Sequence, residues 1–396
     1  RQFRTVEGDP FNPREIRESA ERIRALGFFS KADVEAREGT SPDQVIVDVN
    51  VEEQPTGSLS FGLSYSVDSG AGATVSFSEA NFLGRGQYLS FSLTTGTDSN
   101  SAKFIFAEPA FLGRDVAFRF AVSHAQTDQQ NGESYRTRET VFNPSLEFPV
   151  SESGRLSLGV GVRSDEISDY TGDSAIIAAE ATEGERLAGF VGYTYSYDSR
   201  RAGLNPDSGY VLSFSQEFAG ADNAEYIETT AAVKAQTLAF REEVTLRAEL
   251  EGGLIHMLSG TSRVTDRYFL NGKIRGFESN GLGPRDLAAT DQDALGGNMF
   301  AVARFEAEFP IGLPEEYGIT GGLFADVGTV WSLDNANGGP TGTDIVDDGF
   351  KLRAAAGFSI FWNTAIGPLR FNFSRPLMKE SYDKERNFDL TVSTRF

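Results

Sequence analysis

Arg275 is the residue whose type and setting most invite a chemical role. It lies in Lys273-Ile274-Arg275-Gly276-Phe277, a cation between apolar side chains with a glycine beside it. The surrounding stretch, about 256–297, is rich in glycine (Gly272, Gly281, Gly283, Gly296, Gly297) and joins two alternating runs, 243–255 and 298–309. A connection longer than about 15 residues without structure of its own is usually functional or disordered. Glycine at 276 permits a sharp turn next to the arginine. Two readings stay open: a hairpin tip that folds inward so that the guanidinium meets carboxylates, or a solvated arginine on an exposed loop.

Other reactive groups are scarce. Cysteine is absent, which removes disulfides and thiolate metal sites. His124 and His256 are far apart and lack ligand spacing. No G-x-S-x-G elbow, H-E-x-x-H pair or P-loop occurs, so neither an enzyme, a cofactor nor a metal is expected. The acidic loops could hold divalent cations, or they are simply solvated. A net charge of -21 argues against nucleic acid as a partner.

The elements that must position Arg275 are strands. Leu59, Phe61, Leu63 and Tyr65 alternate with Ser58, Ser60, Gly62 and Ser64; Val116, Phe118, Phe120 and Val122 alternate with Ala117, Arg119, Ala121 and Ser123. The same two-faced pattern returns at 156–163 and at 388–396. No apolar run reaches about 18 residues, so no transmembrane helix is expected, but barrel strands need only about 10 alternating residues. Alternation alone does not separate a soluble sandwich from a membrane barrel. Turn asymmetry favours the barrel. Short connections at 81–86, 108–115, 148–155, 198–209, 309–318 and 363–368 alternate with often longer, acidic ones at 165–185, 256–297 and 331–350. Sixteen strands are predicted, starting near 57, 73, 86, 101, 115, 136, 154, 185, 209, 225, 243, 298, 318, 350, 367 and 386. Lipid then forces closure, pairing a first strand with Gly57, Leu59, Phe61 and Gly62 against a last strand with Leu390, Val392 and Phe396.

Ahead of the barrel, Asn12-Pro13-Arg14-Glu15 reads as a helix start. Ile16, Ala20, Ile23 and Leu26 share one face, and Gly27 is a stop. Two strands, 32–37 and 44–52, follow. The first 54 residues thus form a small α+β unit, with the barrel over 55–396. No signal peptide is recognisable, and Arg1-Gln2-Phe3-Arg4 reads as the start of a mature fragment or a trimmed piece.

Several motifs carry a family resemblance. Ile274-Arg275-Gly276-Phe277 resembles the VRGF-type motif of the POTRA-barrel superfamily, with Ile in place of Val. Ser279–Arg285, written SNGLGPR, and Leu295-Gly296-Gly297-Asn298 are most similar to its outer-membrane β-barrel assembly branch. Tyr197-Asp198-Ser199-Arg200, Asn205-Pro206-Asp207-Ser208-Gly209, Phe324–Trp331 (FADVGTVW) and Ile366-Gly367-Pro368-Leu369-Arg370-Phe371 resemble later parts of that barrel. Glu7-Gly8-Asp9, Leu26-Gly27-Phe28-Phe29 and Val51-Glu52-Glu53-Gln54 resemble the end of a POTRA domain, truncated here at its start.

The resemblance implies an all-β transmembrane protein: a 16-stranded antiparallel outer-membrane barrel with a truncated periplasmic POTRA domain. It implies that Arg275 pairs with inward carboxylates, Glu308 and Asp326, whose strand parity is favourable: Phe305, Ala307 and Phe309 facing lipid leave Glu306 and Glu308 inward. It implies a seam that opens sideways, where residue types alone suit an ordinary closed seam. The terminal Phe396 resembles the C-terminal signal carried by barrel clients themselves. The implied function is folding and insertion of unfolded outer-membrane β-barrel clients without ATP, with periplasmic assembly lipoproteins and outer-membrane lipid as partners. The POTRA remnant either extends incoming chains by strand addition or plugs the barrel mouth. Alternatives are a dedicated POTRA-barrel secretion transporter, an autotransporter assembly factor or, less well matched, a passive porin.

Overall fold

Asn12 starts the first helix. Its backbone is extended and its side chain accepts from the Arg14 N–H at 3.1 Å, so α1 (Pro13–Ala25) begins at the expected cap. Ile16, Ala20 and Ile23 are buried on its inner face. Gly27 turns the chain out at φ 68°, a backbone angle that suits glycine. Strands β1 (Phe29–Glu38) and β2 (Val45–Glu53) form an antiparallel hairpin. A computed structural model describes the chain except positions 1, 2, 4–6, 42–43, 67–69, 98, 129–132, 202–207, 222, 365–366 and 396. Two compact units emerge: Arg1–Leu59 with Phe77–Ser90, and Ser60–Ser76 with Phe91–Phe396.

The remaining long strands are β3 (Gly57–Ser66), β4 (Gly70–Phe82), β5 (Gln87–Gly96), β6 (Ser99–Glu108), β7 (Ala117–Thr127), β8 (Arg136–Pro149), β9 (Gly154–Ser168) and β10 (Arg186–Asp198). They continue as β11 (Gly209–Ala221), β12 (Ala224–Ala239), β13 (Val244–Ser259), β14 (Met299–Pro310) and β15 (Ile319–Trp331). A two-residue ribbon, β16 (Asn337–Gly338) with β17 (Asp344–Ile345), precedes β18 (Arg353–Thr364), β19 (Gly367–Met378) and β20 (Phe388–Arg395). Apart from the ribbon, each of these strands neighbours the next, and β20 closes onto β3, making a sixteen-stranded antiparallel barrel. Every observed start lies within three residues of the predicted one.

Burial decides what alternation could not. Phe61, Leu63, Val160, Val191, Leu323 and Phe358 are exposed, whereas Asp165, Arg186, Asp326, Arg353 and Asn372 are buried. A soluble sandwich would bury the apolar face. A barrel with apolar residues outward and charges inward is the lipid-facing arrangement. Among the described residues, no helix is long and apolar enough to cross a membrane.

The rim of long connections carries an element that the sequence pattern did not suggest. Within the stretch expected to be an acidic loop, α2 (Ala175–Glu183) forms. Ile176 and Ile177 pack with Tyr135, Ile167, Val264, Leu295 and Val346, which come from four different connections and strand ends. The alanine-rich AIIAAEA run, closed by Gly184, was the available signal.

Candidate functional site in the barrel lumen and at the seam

The segment between β13 and β14 folds inward. Ile274 and Phe277, 2% and 8% exposed, pack with Leu270, Leu282, Phe300, Val302, Val330 and Ala355, so the tip is wedged against the inner wall of β14, β15 and β18. Gly276 makes this possible. Its φ is +93°, and a Cβ there would lie 3.2 Å from the Ala355 Cβ. The backbone therefore needs both a left-handed angle and a close approach to the wall.

Arg275 is held on three sides. Its N–H and Nε donate to Asp326 Oδ2 at 3.0 and 2.7 Å, and its Nη2 donates to Asp326 Oδ1 at 2.7 Å. Its Nη1 donates to Glu306 Oε2 at 2.6 Å. The guanidinium carbon stands 3.6 Å from the centre of the Phe324 ring, a cation–π arrangement. Asp326 is fully buried and receives the fork geometry that arginine, unlike lysine, provides.

Glu308 corrects the expected pairing. It is inward, as parity required, but it meets Arg247 at 2.7 Å and Thr320 at 2.7 Å rather than Arg275. Two residues along a strand is about 6.6–6.8 Å of rise, and Glu306 is the carboxylate at the depth of the tip. Parity reports the face, not the depth. Glu306 also accepts from Arg247 at 3.3 Å and from Arg370, so three guanidinium groups converge on one carboxylate. Arg247, Arg370 and Glu306 thus join the site, although sequence reasoning had recognised Glu306 only as inward.

The base of the loop is anchored as firmly. Arg267 is buried and binds Glu180 of α2, donates to Ser262 Oγ at 3.1 Å and to the Leu295 carbonyl at 3.0 Å. Glu180 also accepts the Val264 N–H at 2.8 Å. Arg186 bridges Asp165 and Asp266. Near the rim, Ser134 donates its N–H to Asp293 at 2.9 Å. Burial pushes the neighbouring Glu133 carboxyl up to about 7, and the Asp293 charge adds to the rise.

The tip also touches the approach to the last strand. Arg386 N–H donates to the Gly276 carbonyl at 2.9 Å, Glu278 N–H to the Lys384 carbonyl at 3.0 Å, and Lys384 N–H to the Gly281 carbonyl at 2.9 Å. Phe277 bridges Glu385. Arg353 clamps Asp383 through two bonds of 3.0 and 3.1 Å. Loop tip and β20 are therefore tied by backbone hydrogen bonds only a few residues before the strand begins.

Among the described residues, the seam ladder runs from Thr391 opposite Ser66 to Arg395 opposite Gly62. Of the expected seam residues, Gly62 and Val392 lie in the paired stretch, Val392 opposite Tyr65. Gly57, Leu59 and Phe61 precede the described pairs on β3, and Leu390, paired with Phe371 of β19 on its other edge, has no described partner on β3. Phe396, parts of the 198–209 turn and Ile366 lie outside the described residues.

This geometry defines a membrane barrel of the outer-membrane class, with an inward loop pinned by a partly buried arginine on a fully buried aspartate. Residues 81–396 match the Omp85 superfamily domain, and residues 1–54 match POTRA, described as a surface antigen variable number repeat. The chain belongs to the Omp85 superfamily. It is similar to the outer membrane protein assembly factor BamA of Neorickettsia risticii, at 27% identity over 398 residues, covering 100% of this chain and 52% of that protein. BamA of Neisseria meningitidis is 24% identical over 440 residues, covering 100% and 54%. The crystal structure of BamA from Haemophilus ducreyi lacking POTRA domains 1–3 superposes with a TM-score of 0.83 at 21% identity, covering 100% of this chain and 81% of that one; this likeness concerns the fold. The chain spans about half the length of the two curated relatives. It is an integral outer-membrane protein with its N-terminal domain in the periplasm.

Proposed function

We propose that this chain is the membrane end of an assembly factor that folds β-barrel clients and inserts them into the outer membrane. The observation that carries this reading is the loop tip hydrogen-bonded just ahead of β20, the strand that closes the barrel onto β3. An opened seam leaves the N–H and C=O groups of a strand edge unpaired in hydrocarbon, which is costly unless another strand adds there. An unfolded client supplies that strand, and its own folding free energy drives insertion without ATP. The Arg275 loop holds the lumenal wall in register while the seam opens. The chain works as a non-enzymatic template, with periplasmic assembly lipoproteins as partners. The POTRA domain is the periplasmic module next to the barrel.

The seam pair Ser64 and Ser393, opposite each other in register, tests the mechanism. Register partners lie about 4.5–5.5 Å apart at Cα, within reach of a disulfide, and the protein has no other cysteine to compete. Under oxidation, S64C with S393C should stop accumulation of unrelated barrels, and reduction should restore it. Unimpaired assembly with a fully formed crosslink would sink the lateral-seam mechanism.

A further inference from the structure

The lumen beneath the loop tip contains a chamber of about 780 Å³, at the end of the barrel that carries the short turns. That volume lies in the range of small-ligand and peptide-side-chain sites, about 300–1,000 Å³. Arg200, Lys234, Arg247, Arg304, Arg370 and Arg386 line it beside Arg275, against the carboxylates Glu249, Glu306 and Asp389. In a chain of net charge -21 such a gathering of cations runs against the composition.

The accessible charge is more one-sided than the residue list. The Arg247 and Arg370 side chains are 39% and 37% exposed, while their shared partner Glu306 is 13% exposed. Lys234 is 60% exposed over Glu249 at 18%. Asp326, the main partner of Arg275, is fully buried behind the tip. The counter-charges thus sit in the wall, and the cations face the cavity. Donors remain as well. Arg370 gives Nε to Asn372 Oδ1 at 3.0 Å and one Nη to Glu306, out of the five donors a guanidinium carries. Arg247 gives Nε to Gln236 and Nη1 to Glu306 and Glu308. Two forked cations with spare N–H groups around one cavity match carboxylates.

We propose that this chamber binds the carboxylates of an extended acidic peptide segment entering from the short-turn end. A lipid anion fits less well, because its acyl chains would have to leave hydrocarbon for a charged lumen. The proposal rests on the assembly reading for where such a segment comes from, an unfolded client; the binding chemistry does not depend on it.

The test is direct binding to the purified protein in detergent micelles, followed by fluorescence polarisation. The probes are a labelled Ser-Asp-Ser-Glu-Ser-Asp peptide and its Asn/Gln counterpart. The acidic peptide should bind at least about tenfold more tightly than the amide form and lose affinity as salt rises. R247Q with R370Q should weaken it about tenfold while the barrel keeps its heat-modifiable migration. Should that variant fail to fold, arginine modification of the unaltered protein by phenylglyoxal serves instead: the peptide should shield Arg247 and Arg370 in the mass spectrum. Equal binding of both peptides, unchanged binding by the folded variant, or no shielding overturns the proposal. Inorganic phosphate binding as tightly as the peptide also overturns it, in favour of a small-anion site. No assembly step enters this assay, so its failure is distinct from failure of the assembly reading, which is judged by the barrels lost on depletion.

Discussion

Arg275 is energetically asymmetric with its partners. Removing it leaves Asp326 fully buried without its guanidinium, and breaking a buried pair on one side costs about 3–5 kcal/mol. R275A should therefore undock the tip and expose 256–297 to protease while the barrel persists in heat-modifiable migration. R275K should recover only part of the protection, because lysine lacks the fork. The carboxylates separate the observed pairing from the expected one. E306Q should loosen the tip, whereas E308Q should leave its protection unchanged, since Glu308 serves Arg247 and Thr320. Equal effects would mean that the Arg275–Glu306 contact does not hold the tip. At the rim, Glu133 sets a pH dependence. Its folded pKa of about 7 lies above its ordinary value of 4.5, so the folded state binds more protons than the unfolded one between those values. Its contribution is fully present below about 4.5 and lost as pH rises through 7. Thermal stability of the rim should fall over that window, and E133Q should flatten the fall.

At the scale of elements, the loop, α2 and the approach to β20 depend on one another. The tip is seated by apolar packing as much as by charge. I274A removes a side chain buried against β14 and β15 and should cost about 2–5 kcal/mol of docking. Its readout is faster hydrogen exchange at the amides of Glu278 and Lys384, whose bonds tie the tip to the stretch before β20. Unchanged protection there would separate the tip from the seam. From the residues, a charge flanked by Ile274 and Phe277 suited a packed inward tip or a solvated arginine alike, and the family resemblance pointed to the inward one. Sequence reasoning did not find α2, because a nine-residue helix with alanines on every side has little amphipathic period to read.

For the whole molecule, the prediction concerns what disappears when the protein does. Depletion in its native cell, followed by quantification of the outer-membrane proteome, should remove many unrelated barrels before growth stops. Loss of one secreted protein or one autotransporter group with porins intact would redirect the function to a dedicated transporter or assembly factor. The architecture was legible because strands of about ten alternating residues separated by Gly- and Pro-containing turns leave few alternatives, and strand starts follow from local pattern. Parity likewise determined that Glu306, Glu308 and Asp326 face inward. The sequence could not determine which of them meets Arg275, since depth depends on how far the loop descends and on the stagger of neighbouring strands. Nor could it determine that seven cations meet around one chamber. That was decided by the tertiary structure, because barrel closure sets the shear between strands distant in sequence, and only that shear brings Lys234 of β12, Arg247 of β13, Arg304 of β14 and Arg370 of β19 to a common level.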